Sequence, residues 1–249
     1  MLFINIKKRK GSDFLRLIDL HTHILPVDDG VQSLKESILC LEKAEKLGFE
    51  KIVFSPHYVA NSKYTNSYQD NYQVFRILKK KAKKIKIELF LTSETMLCEN
   101  MLDLLKEKKI KPINKSNYLL VEIPHFKIEN EKPEKLKKKS KELSDYRLIL
   151  VHPERCDYFQ EDFSRLDHFD FFYQVNLSSL VGRYGKKAKE LAIYMLKNNK
   201  ASFLATDLHT VKQYDDFKKA FKLIAKIDKN LIEQLFFQNP LKVILNQKI

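Results

Sequence analysis

The chain has 249 residues, 44% of them hydrophobic and 31% charged, with a formal net charge of +14. That length suits one α/β barrel with a large core, no apolar run approaches the roughly 20 residues of a bilayer span, and the charges of MLFINIKKRK follow its apolar start, the reverse of a secretory signal. Cys40, Cys98 and Cys156 are widely spaced, which excludes a C-x-x-C zinc knot and a C-x5-R phosphatase loop, argues against a disulfide framework and leads to the expectation of a cytoplasmic protein.

Residues 1–16 read as a basic tail, densest at Lys7–Lys10, ahead of a single domain over residues 17–249. Plausible strands are Leu17–His21, Lys51–Phe54, Ile85–Leu91, Tyr118–Ile123, Arg147–Val151, Phe171–Leu177 and Ser202–Ala205, with amphipathic stretches of helical length between them. The clearest helix runs from Leu34 to Leu47, with Ile38, Leu41, Ala44 and Leu47 on one face. Ser33 and Glu36 read as its capping box and Gly48 as its stop. The lysine runs Lys79–Lys84 and Lys135–Lys141 fall inside apparent helices and read as solvated faces. The functional alternative for so basic a chain is a polyanionic partner such as nucleic acid or anionic lipid.

Seven β–α steps predict a parallel sheet that closes as a distorted (β/α)7, TIM-like barrel. His57, Glu94, Glu122, His152, Asp207 and His209 lie at or just beyond carboxyl ends of these strands, the end where such barrels gather catalytic groups. G-x-G-x-x-G and G-x-x-x-x-G-K-[ST] are both absent, so nucleotide-binding sheets lose support. His21 and His23, two apart on a strand, face the same way and can reach one metal ion. Asp28 and Asp29 follow in the same loop. Each element alone is open to a bland reading: an H-x-H is a ligand pair or a satisfied polar pair, and a histidine after proline is often structural.

The order H-x-H…D-D-G, P-H, E, E, H-P-E-R, D-x-H resembles the PHP (polymerase and histidinol phosphatase) superfamily. The stretches HTHILPVDDGVQSLKES, KLGFEKIVFSPHY, YLLVEIP, VHPER, VNLSSLVGRYGKKAKELA and FLATDLH cover most of the chain. They are similar to the manganese-dependent bacterial protein tyrosine phosphatases that regulate capsule and exopolysaccharide synthesis. The resemblance implies up to three divalent ions, with manganese as the metal and iron or zinc also suited to mixed imidazole and carboxylate donors. It allots His21, His23, Glu94 and Asp207 to one ion. Glu94 bridges to a second held with Glu122 and His152, and Asp29, His57 and His209 hold the third.

Three such ions bring about +6 against about −4 from the four carboxylates, so the filled site stays positive and welcomes a phosphate. The implied chemistry is attack of a metal-activated hydroxide on phosphorus, with Arg155 as an added phosphate clamp and His209, Tyr58 or a metal assisting the leaving group. The implied substrate is phosphotyrosine on a bacterial tyrosine kinase of polysaccharide export, with no specific nucleic acid and at most peripheral membrane proximity. The alternatives are a histidinol-phosphate-like small-molecule phosphatase and a basic nucleic-acid-binding PHP module.

Several residues depart from the pattern or stay outside it. Thr92 stands where a small residue usually precedes the bridging glutamate. HTVKQYDD leaves Lys212 as the one cation where some relatives carry an arginine. His125 is an alternative ligand to Glu122, and Asp28 is read as shaping its loop. His168 is read as a surface residue. Arg183 and Lys186 either face the substrate or cap the following helix.

Overall fold

The run LIDLHT forms the first strand, β1 (Leu17–Thr22), and all six of its residues are buried. The computed structural model describes residues 16–125 and 133–249, so the basic tail expected over residues 1–16, with Lys7–Lys10, lies outside the described residues except for Arg16. β1 pairs in parallel with β2 (Phe49–Phe54). After Ser55 and Pro56 the chain resumes as the two-residue β3 (His57–Tyr58). β4 (Glu88–Leu91) pairs with β2, and after Thr92 and Ser93 the strand resumes as β5 (Glu94–Met96). β6 (Tyr118–Glu122), β7 (Arg147–Val151), β8 (Phe172–Asn176) and β9 (Ala201–Ala205) follow in that spatial order beside β5.

All the pairings are parallel, in a three-stranded sheet β1-β2-β4 and a six-stranded sheet β3-β5-β6-β7-β8-β9. The sheets are continuous in chain through the interrupted strands. At the far edge Thr22 bridges Leu208, His23 N donates to Leu208 O at 2.8 Å, and Asp207 N donates to His21 O at 3.0 Å. This is the expected α/β arrangement, a distorted barrel whose two sheets meet across β1 and the segment after β9.

Two expected strands are split, for identifiable reasons. Pro56 has no N–H to give to a ladder, and Ser55 bonds sideways instead, its Oγ accepting from Thr22 N at 3.0 Å. Thr92 turns its hydroxyl out of the strand line to donate to Lys111 O at 2.7 Å, which accommodates the larger residue. Residues 85–87 stay outside β4. Ile85 N is bonded to Ala82 O and Lys86 N to the Glu45 carboxylate, so the ladder begins at Glu88.

Helix α1 (Leu34–Leu47) has the expected bounds, and Gly48 closes it in the left-handed region at φ 97°, a conformation glycine adopts without Cβ strain. Ser33 Oγ accepts from Glu36 N at 3.2 Å, but the Glu36 carboxylate reaches Gln32 N at 2.7 Å, so the reciprocal arm of the box falls one residue early. Helix α2 (Tyr68–Lys81) begins at a full capping box of Ser67 and Asp70 and ends at Lys81. Lys83 and Lys84 therefore sit in the turn that follows, not inside a helix. The second lysine run lies in the helix Pro133–Glu142.

The period of two along the strands stacks the barrel interior into layers. Val53, Phe90, Leu120, Phe172 and Phe203 line an apolar core with Phe237, Val243 and Ile244 of the C-terminal helices. Continuing by twos toward the carboxyl ends leads to His57, Glu94, Glu122, Gln174 and Asp207. The apolar layer thus seals one end and the polar layer lies above it. β1 reaches the same layer through a register shift between Asp19 and Thr22. After β7, whose Ile149 and Val151 face that core, His152 breaks the period. It does so in the left-handed region at φ 35°, and Asp207 also has a positive φ of 49°.

The D-D-G loop is pressed onto β1. Val31 N donates to His23 O at 3.2 Å, and a Cβ on Gly30 would lie 1.7 Å from that same carbonyl oxygen. Gly30→Ala is therefore expected to cost about 1–3 kcal/mol through overpacking and to weaken metal binding, because it displaces Asp29. Gly48→Ala should cost about 1–2 kcal/mol through its left-handed backbone and leave metal binding intact. Urea unfolding and manganese titration of both variants separate the two effects.

Candidate metal centre

Each strand end delivers one or two side chains to a single buried space. The centre of it is Glu94, fully buried, whose Oε2 lies 3.1 Å from His21 Nε2, 3.0 Å from His23 Nε2 and 3.1 Å from His57 Nδ1. Its Oε1 accepts from His152 Nε2 at 2.9 Å. Asp207 Oδ1 is 3.5 Å from both His21 Nε2 and His23 Nε2, which are 3.1 Å from each other. Donors around 2.1 Å from one ion stand about 3–3.5 Å apart, so His21, His23 and Glu94 have the mutual spacing of a ligand shell, and Asp207 has it toward both imidazoles.

Asp29 Oδ1 is 3.5 Å from His57 Nε2 and 3.5 Å from His209 Nε2, and His23 joins these three within one group of mutually close donors. Glu122 lies 3.5 Å from His57 Nδ1 and falls into two such groups, one with His57 and Glu94 and one with His125 and His152. All the residues expected as ligands therefore meet in one place, and His125 stands beside Glu122 rather than in its stead. The His125 and His152 rings are 5.2 Å apart, and His125 is held by the bond from Asp157 N to its carbonyl at 2.9 Å.

The residues fit divalent ions on two independent observations. Among the described residues, His57 Nδ1, Glu94 Oε2, His125 Nε2 and His152 Nδ1 are buried without a hydrogen-bond partner. Such atoms are costly unless something else satisfies them. In addition, mixed imidazole and carboxylate donors are those that manganese, iron and zinc accept.

Electrostatics point the same way. Burial alone would depress His21, but Glu94 and Asp207 outweigh it and lift the imidazole to about 9. Burial opposes protonation of His23 too, and Asp28 and Glu94 carry it well above its ordinary value. Burial would raise Glu94 and Asp207, yet the imidazoles hold both below the usual carboxylate range, His21 being the largest contributor in each case. His125 moves the other way, down to about 4, because burial adds to repulsion from His152 and Arg155.

Other side chains set the ligands in place. Asp28 accepts from His23 Nδ1 at 2.8 Å, from His57 N at 3.0 Å and from Gly30 N at 3.3 Å, so it binds the loop and orients a ligand. Arg155, half-buried, donates through Nη1 to Asp207 Oδ2 at 2.8 Å and lies over the Tyr184 ring, its Cζ 4.4 Å from the centroid. Glu154 is fully buried, and burial pushes it up to about 7 even though Ser179 Oγ and Asn176 N both donate to it. Arg183 donates to Asp216 at 2.8 Å, tying the L-x-G-R-Y-G-K segment to the turn after the D-x-H, and Lys186 pairs with Glu190. Neither has a contact with the ligand cluster. His168 and Lys212 are exposed.

Gln174, Asn176 and Tyr184 are absent from the motif-based set. The first two had a signal: polar residues two apart in the otherwise apolar strand FYQVN, the same spacing as His21 and His23.

The chain matches the family model described as "Capsular polysaccharide synthesis, CpsB/CapC" over residues 17–245. It is 30% identical over 243 residues to CapC of Staphylococcus aureus, covering 94% of this chain and 93% of that one. To the tyrosine-protein phosphatase YwqE of Bacillus subtilis it is 28% identical over 202 residues, covering 79% and 78%. Crystal structures of YwqE from Bacillus subtilis and CpsB from Streptococcus pneumoniae are described as those of unique metal-dependent tyrosine phosphatases. One superposes with a TM-score of 0.83 at 26% identity, over 94% of this chain and 96% of that one. A histidinol phosphate phosphatase from Lactococcus lactis shares the fold, with a TM-score of 0.55 at 15% identity over 86% and 94% of the two chains.

The metal-free protein should be less stable in alkali. His21 titrates at 6.5 when unfolded and at about 9 when folded. Its charged form therefore stabilises the fold fully below 6.5, and this contribution disappears as the pH rises through about 9. A bound metal must displace that proton, so its stabilising effect should grow over the same interval. Thermal melts in chelator and in excess manganese across this range are expected to diverge. A chelated protein that gains stability toward pH 9 would contradict the assignment.

Proposed function

The chain belongs to the CpsB/CapC family of capsular polysaccharide synthesis proteins, and we propose that it is a metal-dependent protein tyrosine phosphatase. The observation that carries this reading is the buried Glu94 carboxylate faced by three imidazole nitrogens at 3.0–3.1 Å, with unsatisfied donor atoms around it. Phosphotyrosine as the substrate is supported by the YwqE and CpsB relatives, both named tyrosine-protein phosphatases. The family's link to capsule synthesis makes a bacterial tyrosine kinase of capsular and extracellular polysaccharide synthesis the substrate protein we propose.

His21, His23, Glu94 and Asp207 hold one ion in this proposal. Glu94, Glu122 and His152 hold a second, and Asp29, His57 and His209 a third, with manganese the native metal. Bound ions supply Lewis-acid charge to the phosphoryl oxygens and acidify the attacking water.

The chain's own groups do the remaining work. Arg155 has five N–H donors, of which the Asp207 contact uses one, so it can also hold a phosphoryl oxygen. The Tyr184 ring stacks under the planar guanidinium and directs it. His209 Nδ1 donates to Asp207 O at 3.0 Å, which leaves Nε2 as the lone-pair face toward Asp29. A tyrosyl leaving group, with a pKa near 10, makes little demand on a general acid, and His209, whose Nε2 lone pair is given to an ion in this assignment, serves as a ligand. Residues 17–249 act as one catalytic domain, with the basic tail 1–16 ahead of it. No helix among the described residues is long and apolar enough to cross a membrane, and we place the protein in the cytoplasm.

Chelated protein should lose activity on a phosphotyrosine peptide and regain it with added manganese. Phosphoserine peptide and histidinol phosphate should be cleaved at least about tenfold more slowly, a barrier difference of about 1.4 kcal/mol or more. Equal rates on histidinol phosphate would move the assignment to a small-molecule phosphatase. Arg155→Ala should lower kcat about 10²–10³-fold, as loss of a charge-stabilising donor does, and Arg155→Lys should not restore it fully because the planar fork is missing.

A further inference from the structure

Two side chains that the reaction leaves unused connect a ligand of the first strand to one in the segment after the last. Gln174 and Asn176 are fully buried on β8 and, two residues apart, face the same side. Asn176 Nδ2 donates to Asp207 Oδ2 at 2.7 Å, Gln174 Nε2 donates to Asn176 Oδ1 at 2.7 Å, and Gln174 Oε1 lies 2.7 Å from His21 Nδ1.

The direction of every bond in this chain follows from its carboxylate end. Asp207 Oδ2 also accepts from Arg155, which can only donate. Asn176 must therefore turn its NH2 toward Asp207 and its carbonyl toward Gln174. Gln174 must then give its NH2 to Asn176 and its carbonyl to His21. A carbonyl oxygen only accepts, so Nδ1 of His21 carries the hydrogen. The lone pair of the neutral ring then sits on Nε2, the atom that faces His23, Glu94 and Asp207. The backbone is pinned at the same place: Asn176 N donates to Glu154 Oε1 at 2.9 Å and His152 N to Gln174 O at 2.8 Å.

We propose that Gln174 and Asn176 are positioning residues that fix His21 in its Nδ1–H tautomer and lock its orientation to that of Asp207, so that two ligands of one ion are set as a unit. This rests on the metal-centre reading above. His23 gets its orientation separately, from Asp28. The two histidines of the H-x-H thus have different supports, a neutral amide chain that runs on to the Asp207 side chain for one and a carboxylate that runs on to the His57 backbone for the other.

The test uses the full-length chain loaded with zinc, which is diamagnetic, and reads zinc affinity by chelator competition and the His21 ring nitrogens by ¹⁵N NMR. Gln174→Leu and Asn176→Ser should each weaken zinc binding about 10–100-fold, the usual scale for loss of a ligand's hydrogen-bond partner. The double variant should be no weaker than the worse single one, because both substitutions cut the same chain. Gln174→Glu keeps an acceptor for His21, so it should retain the Nδ1–H signal even though its link to Asn176 is broken. Wild-type affinity in Gln174→Leu, losses that simply add in the double variant, or a changed tautomer in Gln174→Glu would each overturn the proposal. If Gln174→Leu does not fold, Asn176→Ser and Gln174→Glu still decide it. Failure of the wild-type chain to bind zinc or manganese would instead refute the metal centre itself.

Discussion

A carboxylate buried away from water must be met by positive charge, and Glu94 is where this chain faces that requirement. An uncompensated buried charge is among the most costly features a fold can hold. Here it is answered by imidazoles from β1, from β3 and from the turn after β7, together with whatever cation lies between them. The register set by β2 and β4 carries across the interruptions at Ser55–Pro56 and Thr92–Ser93, so His57 and Glu94 face each other as the first residues of β3 and β5. Folding and cation capture are therefore one electrostatic problem, with protons as the substitute when metal is scarce.

Much of this was legible in the chain itself, for reasons that also mark the boundary of legibility. The seven apolar runs, the cap and stop of α1, and the punctuation of strand ends by histidine and acid all report local physics, and the structure has them near the expected places. The family and the fold followed from their order. Strands of two or three residues carry no periodicity, so β3 and β5 were invisible. The stop of α2 at Lys81 has no glycine or proline to announce it, because a tertiary bond from Lys86 N to Glu45 shapes the turn that follows. Arg183 offered substrate or cap, and its actual partner, Asp216, is a contact between distant segments that no spacing rule reaches. His125 was posed as a choice against Glu122, and the barrel has room for both at His152.

The phosphate clamp belongs to the same network as the ligands. Arg155 bonds Asp207, Asp207 receives Asn176, and Glu154 beside Arg155 receives the Asn176 backbone. The H-P-E-R turn and the end of β8 are thereby one rigid unit. Glu154 is buried for this purpose rather than for substrate contact, with one oxygen taking two donors. That explains how a single turn after β7 can supply a ligand, a structural anchor and a clamp in four residues without any of them competing for the same partner.

His152 and Asp207 occupy the left-handed region, which residues with a Cβ adopt seldom, asparagine, aspartate and histidine more often than others, and glycine most easily. Backbone bonds to Gln174 O and His21 O hold them there, and the strain persists because the surrounding fold over-determines it. A descendant of this gene relieved of selection for hydrolysis would gain stability by replacing either residue with glycine. Those two codons are accordingly the places where relaxed selection should leave its earliest trace, and a paralogue still carrying His and Asp there is one whose metal chemistry is still being maintained.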